Sequence, residues 1–201
     1  MDKDFSSPLV VNLARGVWWL RIHSIHGCAK RKFGKLGEDP WIEIWVLFFT
    51  FASLFAFLFA PTIGILGCFI LVLGIYRLYE IAINVLHATI FYGIIDRKPI
   101  AGYRRIVILL FANLAEIVLW FGYFYRRIPW QFSQPDASFR ISALSFSVAA
   151  ATGIGSPPIE ANAGLSVGVS LLESALGLFM IVAVIAKFLS GLASDLDRQS
   201  A

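Results

Sequence analysis

The stretch Leu144–Leu192, LSFSVAAATGIGSPPIEANAGLSVGVSLLESALGLFMIVAVIAKFLSGL, decides the fold. It reads as the body of a short helix, a glycine-rich turn and a long apolar helix. The short helix is expected over about Ser138 to Ala150. It stops at Ala151-Thr152-Gly153-Ile154-Gly155-Ser156, and Pro157-Pro158 bars its continuation, because proline lacks the N–H and clashes with the preceding turn. Ala163 to Ser190 is again apolar and long enough to cross a bilayer. A helix too short to cross, then irregular backbone, then a crossing helix is a re-entrant loop. Irregular backbone survives at membrane depth only where protein buries it or a water-filled path runs beside it.

Two readings of the glycines follow. In one, the loop is simply packed between helices. In the other, it lines a cation path. A dehydrated cation needs a ring of oxygens in place of its water, and backbone carbonyls from four copies of one loop supply it. Aiming successive carbonyls at one axis takes unusual φ/ψ, which glycine allows. A single loop closes no ring, so this reading expects a homotetramer about a symmetry axis.

The stretch resembles the pore module of the two-transmembrane ion-channel family, the group that contains potassium channels. The usual filter of that family reads Thr-x-Gly-Tyr-Gly-Asp. Ala151-Thr152-Gly153-Ile154-Gly155-Ser156 stands in its place, with both glycines in register. Ser145-Phe146 precede it where the family's pore helix often has Ser-Phe, and Leu172-Glu173-Ser174-Ala175-Leu176-Gly177-Leu178-Phe179 resembles an inner-helix Leu-Glu-x-x-x-Gly pattern. The resemblance covers about Ile106–Leu192. It implies a tetrameric cation channel whose filter residues are Ala151, Thr152, Gly153, Ile154 and Gly155, passing potassium and also sodium. In the last helix Ser166, Ser170 and Ser174 recur every four residues with Gly164, Gly168 and Gly177, and such small residues let helices approach closely; the resemblance also makes Gly177 the bend point of a gate. Ala151 replaces a threonine whose hydroxyl usually lines the innermost ion site, Ile154 replaces the filter tyrosine, and Ser156 the aspartate. The pore helix has no tryptophan to brace the filter. These departures predict a weaker potassium preference.

Composition agrees with a membrane location. Of 201 residues, 58% are hydrophobic and 15% charged, which is the balance of a polytopic membrane protein. Four spans fill the chain, and a soluble sensor domain has no room. The net charge of +4 does not point to nucleic acid, since the basic residues flank apolar spans. Cys28 and Cys68 have no metal spacing and read as ordinary thiols. The first apolar run is short, carries Asn12 and Arg15, and does not read as a cleavable signal peptide.

Residues 1–40 read as an N-terminal cytoplasmic segment. Ser6-Ser7-Pro8 starts a helix on which Leu9, Val10, Leu13, Val17 and Leu20 recur at helical spacing, with Trp18 and Trp19 suited to the headgroup level. With Lys30, Arg31, Lys32 and Lys35 following, this is an amphipathic helix in the cytoplasmic interface, or alternatively one packed on a partner subunit. His23 and His26 lack a third ligand for a metal site. Residues 41–92 hold two peripheral spans, Trp41 to Ala60 and one from Thr62 past Leu73, with Arg77 and Glu80 paired on one face. A lone Arg77 is too little charge for a voltage sensor. His87 and Asn84 face a neighbouring helix. Residues 93–105 form a turn-rich cytoplasmic loop with Arg97, Lys98, Arg104 and Arg105.

Residues 106–192 form the pore domain. Its outer helix, Ile106 to Tyr125, carries Asn113 and Glu116 on the face turned into the bundle. Glu116 is a helix-to-helix hydrogen bonder or else a permeation residue. Arg126 to Ala137 is an external turret, so both termini are cytoplasmic and residues 193–201 are a short cytoplasmic tail. In the last helix, Glu173 either braces the pore helix or faces permeating cations, and Leu178, Ile181 and Ile185 line the cavity, where a tight apolar ring gates by dewetting. The fold class expected is therefore an all-α membrane protein, with four transmembrane helices and a re-entrant pore helix and filter loop between the third and fourth. It would sit as a homotetramer in the plasma or bacterial inner membrane, with lipid and its own copies as partners and no cofactor beyond the permeant monovalent cation. An enzyme is not expected, because no nucleophile, acid–base pair or metal set converges. The rival reading is a non-conducting membrane subunit that keeps the channel fold.

Overall fold

The computed structural model describes residues 8–22, 38–87, 89, 103–133, 139–162 and 164–199. Among these there are six α-helices and no strand: α1 Pro8–Ile22, α2 Glu38–Phe59, α3 Gly64–Leu86, α4 Tyr103–Arg127, α5 Phe139–Thr152 and α6 Leu165–Gln199. Four carry stretches long and apolar enough to cross a membrane, Ile42–Phe59, Gly64–Leu86, Arg105–Arg127 and Leu165–Leu189, the build of a multi-pass membrane protein. His23, His26, Cys28, the Lys30–Lys35 cluster, Arg97 and Lys98 lie outside the described residues, as do residues 134–137 of the expected turret.

The boundaries follow local chemistry. α2 starts at Glu38, with Pro40 in its first turn, where the missing N–H is harmless. Pro61 stops it, and the Tyr123 hydroxyl donates to the Pro61 carbonyl at 3.0 Å, satisfying an acceptor at the α2–α3 turn. α6 runs seven residues past Leu192, so most of the expected tail is helical to Gln199. Asp195, Asp197 and Arg198 do not break a helix that apolar packing has already nucleated.

α4 is the hub, packing against α2, α3, α5 and α6. It is correspondingly buried on several faces, with Leu110, Ile117, Trp120, Phe121, Tyr123 and Tyr125 all in the core. Gly74 allows α3 to close on it, since a β-carbon there would come within 2.6 Å of the Trp120 ring. Pairs at the two ends fix the directions. Arg105 and Glu43 meet at 2.7 Å near the starts of α4 and α2, while Arg126 Nη1 donates to the Phe57 carbonyl near their ends, so these two helices are parallel. Trp45 Nε1 donates to Glu80 Oε2 at 3.3 Å, bringing the start of α2 to the end of α3.

A charged cluster sits inside this packing. Arg77 Nε and Nη2 donate to Glu116 Oε1 and Oε2 at 2.7 and 3.0 Å, and Nη1 donates to Glu80 Oε2 at 2.8 Å. The expected Arg77–Glu80 pair is present, and Glu116 serves as the helix-to-helix partner. Trp120 Nε1 adds a third donor to Glu116 at 3.2 Å, and Arg77 lies over the Phe49 ring at 4.6 Å. All three charged side chains are buried, which in an apolar slab is sustainable only because they are paired. At the same end of the bundle as Glu43, α1 packs through Ala14 and Val17 on Ile83 and Leu86 of α3 and leaves Leu13 and Trp19 exposed.

Candidate functional site

α5 and the loop after it start beside the end of α4 and return to the same point, packed on α4 and α6 throughout. The segment following α4 makes a 3-10 turn at Pro129–Gln131, and Phe132 bridges antiparallel to Ala161. The Ser133 N–H donates to Glu160 O and the Asn162 N–H to Gln131 O, both at 3.0 Å, and the Ser166 hydroxyl donates to Gln131 O at 3.1 Å. Everything between is an excursion. At about 1.5 Å per residue a 14-residue helix is about 21 Å long, short of the about 30 Å of a hydrocarbon core. It ends beside Gly177, the middle residue of the 25-residue stretch Leu165–Leu189. The excursion therefore turns back half-way along the apolar stretch of α6.

The turning point has a definite construction. Ala149, Ala150 and Ala151 are the strongest helix formers, and they carry α5 to Thr152, two residues beyond the expected end at Ala150. The Thr152 hydroxyl donates to Val148 O at 2.7 Å and accepts from the Ile154 N–H at 3.2 Å, so it closes the helix end. Gly153 follows with φ +69° and donates to Ala149 O at 2.8 Å, a left-handed helix stop. Gly155 is also left-handed at φ +95°. Neither glycine has a neighbour within 4 Å of where a β-carbon would stand, so backbone conformation and not crowding demands them. Residues 153–156 are exposed in the single chain, Ile154 at 75%.

Two of the expected filter residues thus sit differently from the other three. Ala151 is buried in the last turn of α5 and Thr152 bonds its own helix, while Gly153, Ile154 and Gly155 form the exposed bend. The Ala151 side chain is packed against its own chain.

Glu173 is likewise inside the protein. It is fully buried and faces α4 and α5, not an open side of α6. Tyr125 hydroxyl donates to Oε2 at 2.5 Å, and Ser147 hydroxyl meets Oε1 while also lying 2.8 Å from Val118 O. This is the geometry of a brace, the first of the two readings of Glu173, and not of a side chain open to a cavity. Gly177 makes a close helix contact. A β-carbon there would fall 2.0 Å from the Ala151 carbonyl oxygen, so α6 and the end of α5 touch backbone to backbone. Leu178 and Ile185 are exposed at 63% and 53% on the single chain, and Ile181 is half-buried. A small cavity of about 280 Å³ between α5 and α6 is lined by Gly153, Gly155, Pro157, Ser170 and Ser174 among others.

The sequence reading missed Tyr125 and Ser147 as partners of Glu173, and the ring cluster behind α5. Tyr125, Phe132 and Phe146 form a triangle with centroids 5.0–5.4 Å apart. A buried acid in an apolar run was the one signal that such partners had to exist. Comparison with protein families, with curated proteins and with solved structures gave no match.

Proposed function

We propose that the chain is one subunit of a homotetrameric channel for monovalent cations, potassium first and sodium also, in a cell membrane with both termini cytoplasmic. One observation carries this. A half-length helix is packed between two spans and ends at mid-span in a bend with two left-handed glycines, exposed at a depth where exposed backbone needs a partner. Four such bends around one axis would cover each other and supply carbonyls to a dehydrated cation. The carbonyl end of α5 points into the same region, and a helix C-terminus favours positive charge. The apolar residues exposed along α6, Leu171, Leu178, Val182 and Ile185, fit a neighbouring copy or a cavity wall. Potassium preference would be modest, since only the short 153–155 bend offers carbonyls freely.

That same shortness favours the second reading, a subunit that assembles without conducting. Cross-linking tests the assembly. In a chain freed of Cys28 and Cys68, Ile154→Cys should join copies under oxidation, while Ile63→Cys, in the α2–α3 turn, should not. Linking at position 63 without linking at 154 would remove the bend from the axis. Flux through vesicles then separates the conducting from the silent assembly.

A further inference from the structure

We infer that Glu173 is held as a neutral carboxylic acid, and that its proton completes a hydrogen-bonded chain, Tyr125 to Glu173 to Ser147 to the Val118 carbonyl, that keeps α5 pressed on α6.

Three oxygen-to-oxygen contacts run in series: Tyr125 Oη to Glu173 Oε2 at 2.5 Å, Glu173 Oε1 to Ser147 Oγ, and Ser147 Oγ to Val118 O at 2.8 Å. A tyrosine and a serine hydroxyl carry one hydrogen each, and a carbonyl carries none. The tyrosine hydrogen serves the first contact. The serine hydrogen serves the last, since Val118 O can only accept. The middle contact is then left to a hydrogen on the carboxyl itself. Glu173 accepts from Tyr125 through one oxygen and donates to Ser147 through the other.

The surroundings agree. Glu173 and Glu116 are equally buried, but Glu116 has the Arg77 guanidinium on both oxygens, and among the described residues no cation touches Glu173. The groups facing it are Tyr125 from α4 and Ser147 from α5. α3, which also touches α6, sends it no charged side chain among the described residues. An uncompensated carboxylate at this depth is strongly disfavoured, whereas a carboxylic acid with every hydrogen bond made is not. Glu173 stands one turn above Gly177, whose backbone lies against Ala151. Losing the proton would withdraw the Ser147 hydrogen from Val118 and leave a bare charge beside that contact. Water or a cation would then have to enter between α5 and α6, so alkali should loosen the turning point. In this role Glu173 is a positioning residue, and its effect on conduction rests on the channel reading above.

Infrared spectroscopy on the purified wild-type chain tests it without reference to conduction. A carboxylic acid C=O band at neutral pH should be present, should disappear in Glu173→Gln, and should move to higher frequency in Tyr125→Phe, which removes one donor from Oε2. Glutamine reproduces every bond of the neutral acid, accepting from Tyr125 and donating to Ser147. Glu173→Gln should therefore assemble and melt as the wild type does, and its vesicle flux should not share the wild type's fall on alkalinisation. A carboxylate band alone at neutral pH would overturn the inference, and so would a Glu173→Gln chain that fails to assemble. A wild-type chain with no flux but with the acid band would sink the channel reading and leave the proton assignment standing.

Discussion

Gly177 on α6 and Ala151 at the end of α5 touch through their backbones, with room for nothing between them: a β-carbon on Gly177 would stand 2.0 Å from the Ala151 carbonyl oxygen and 2.7 Å from its carbonyl carbon. Backbone cannot rotate out of the way as a side chain can. Gly177→Ala is therefore expected to push α5 off α6 and destabilise the chain by about 1–3 kcal/mol, the range for overpacking a close contact. Thermal unfolding in detergent checks this. Gly16→Ala is the control, because no atom lies within 4 Å of the added carbon on α1 and helix propensity favours alanine. It should be neutral or slightly stabilising.

The Arg77 cluster makes an ordered pair of expectations. Arg77→Ala leaves Glu80 and Glu116 buried without their shared cation, and removal of one partner from a buried pair costs about 3–5 kcal/mol. Glu116→Gln keeps Arg77 paired with Glu80 and keeps an acceptor for Trp120, so it should cost clearly less. The two melting temperatures in one detergent give the comparison. An Arg77→Ala chain as stable as Glu116→Gln would show that the cluster does not hold α3 to α4.

At the bend, conformation is the constraint. Gly153 and Gly155 sit at φ +69° and +95° with open space around them. Alanine at either position should meet strain of about 1–3 kcal/mol and no clash. Asparagine, which tolerates the left-handed region better than other residues, should be milder than alanine at 153. If both substitutions at 153 behave alike, the helix stop does not depend on a left-handed residue.

Direction through the membrane is testable at two exposed positions. Ile63 in the α2–α3 turn and Glu43 near the start of α2 are 86% and 47% exposed, at opposite ends of the bundle. In a chain without Cys28 and Cys68, an impermeant thiol reagent outside the cell should label Ile63→Cys and spare Glu43→Cys. Labelling only at 43 would invert the proposed orientation.

Much of this architecture was legible in the sequence, because apolar length and proline are local signals. The four spans, the break at Pro61 and the short helix before Pro157-Pro158 needed no tertiary information. The Arg77–Glu80 pair was equally readable from spacing on one helix. What was not legible lay between elements. Nothing in the spacing of Arg77 points to Glu116, 39 residues away on another helix. The end of α5 was placed too early because a threonine followed by glycine reads as loop, whereas the Thr152 side chain bonds back to Val148 and extends the helix to itself. Gly177, one of the small residues along α6, signalled a close helix approach, but nothing in the sequence says that the neighbour is the Ala151 backbone. Glu173 had two readings, and only its contacts with Tyr125 and Ser147 distinguish a brace from a wall.

Four of these bends around one axis are proposed to make a cation path. The most direct test is the current across a planar bilayer holding the purified chain, with potassium on one side and sodium on the other. A cation current is expected whose reversal potential shows potassium preferred, but less strongly than in channels with a Thr-x-Gly-Tyr-Gly filter, and that current should be lost in Gly153→Ala. An assembled tetramer that passes no current, or a current carried by anions or untouched by Gly153→Ala, would contradict it.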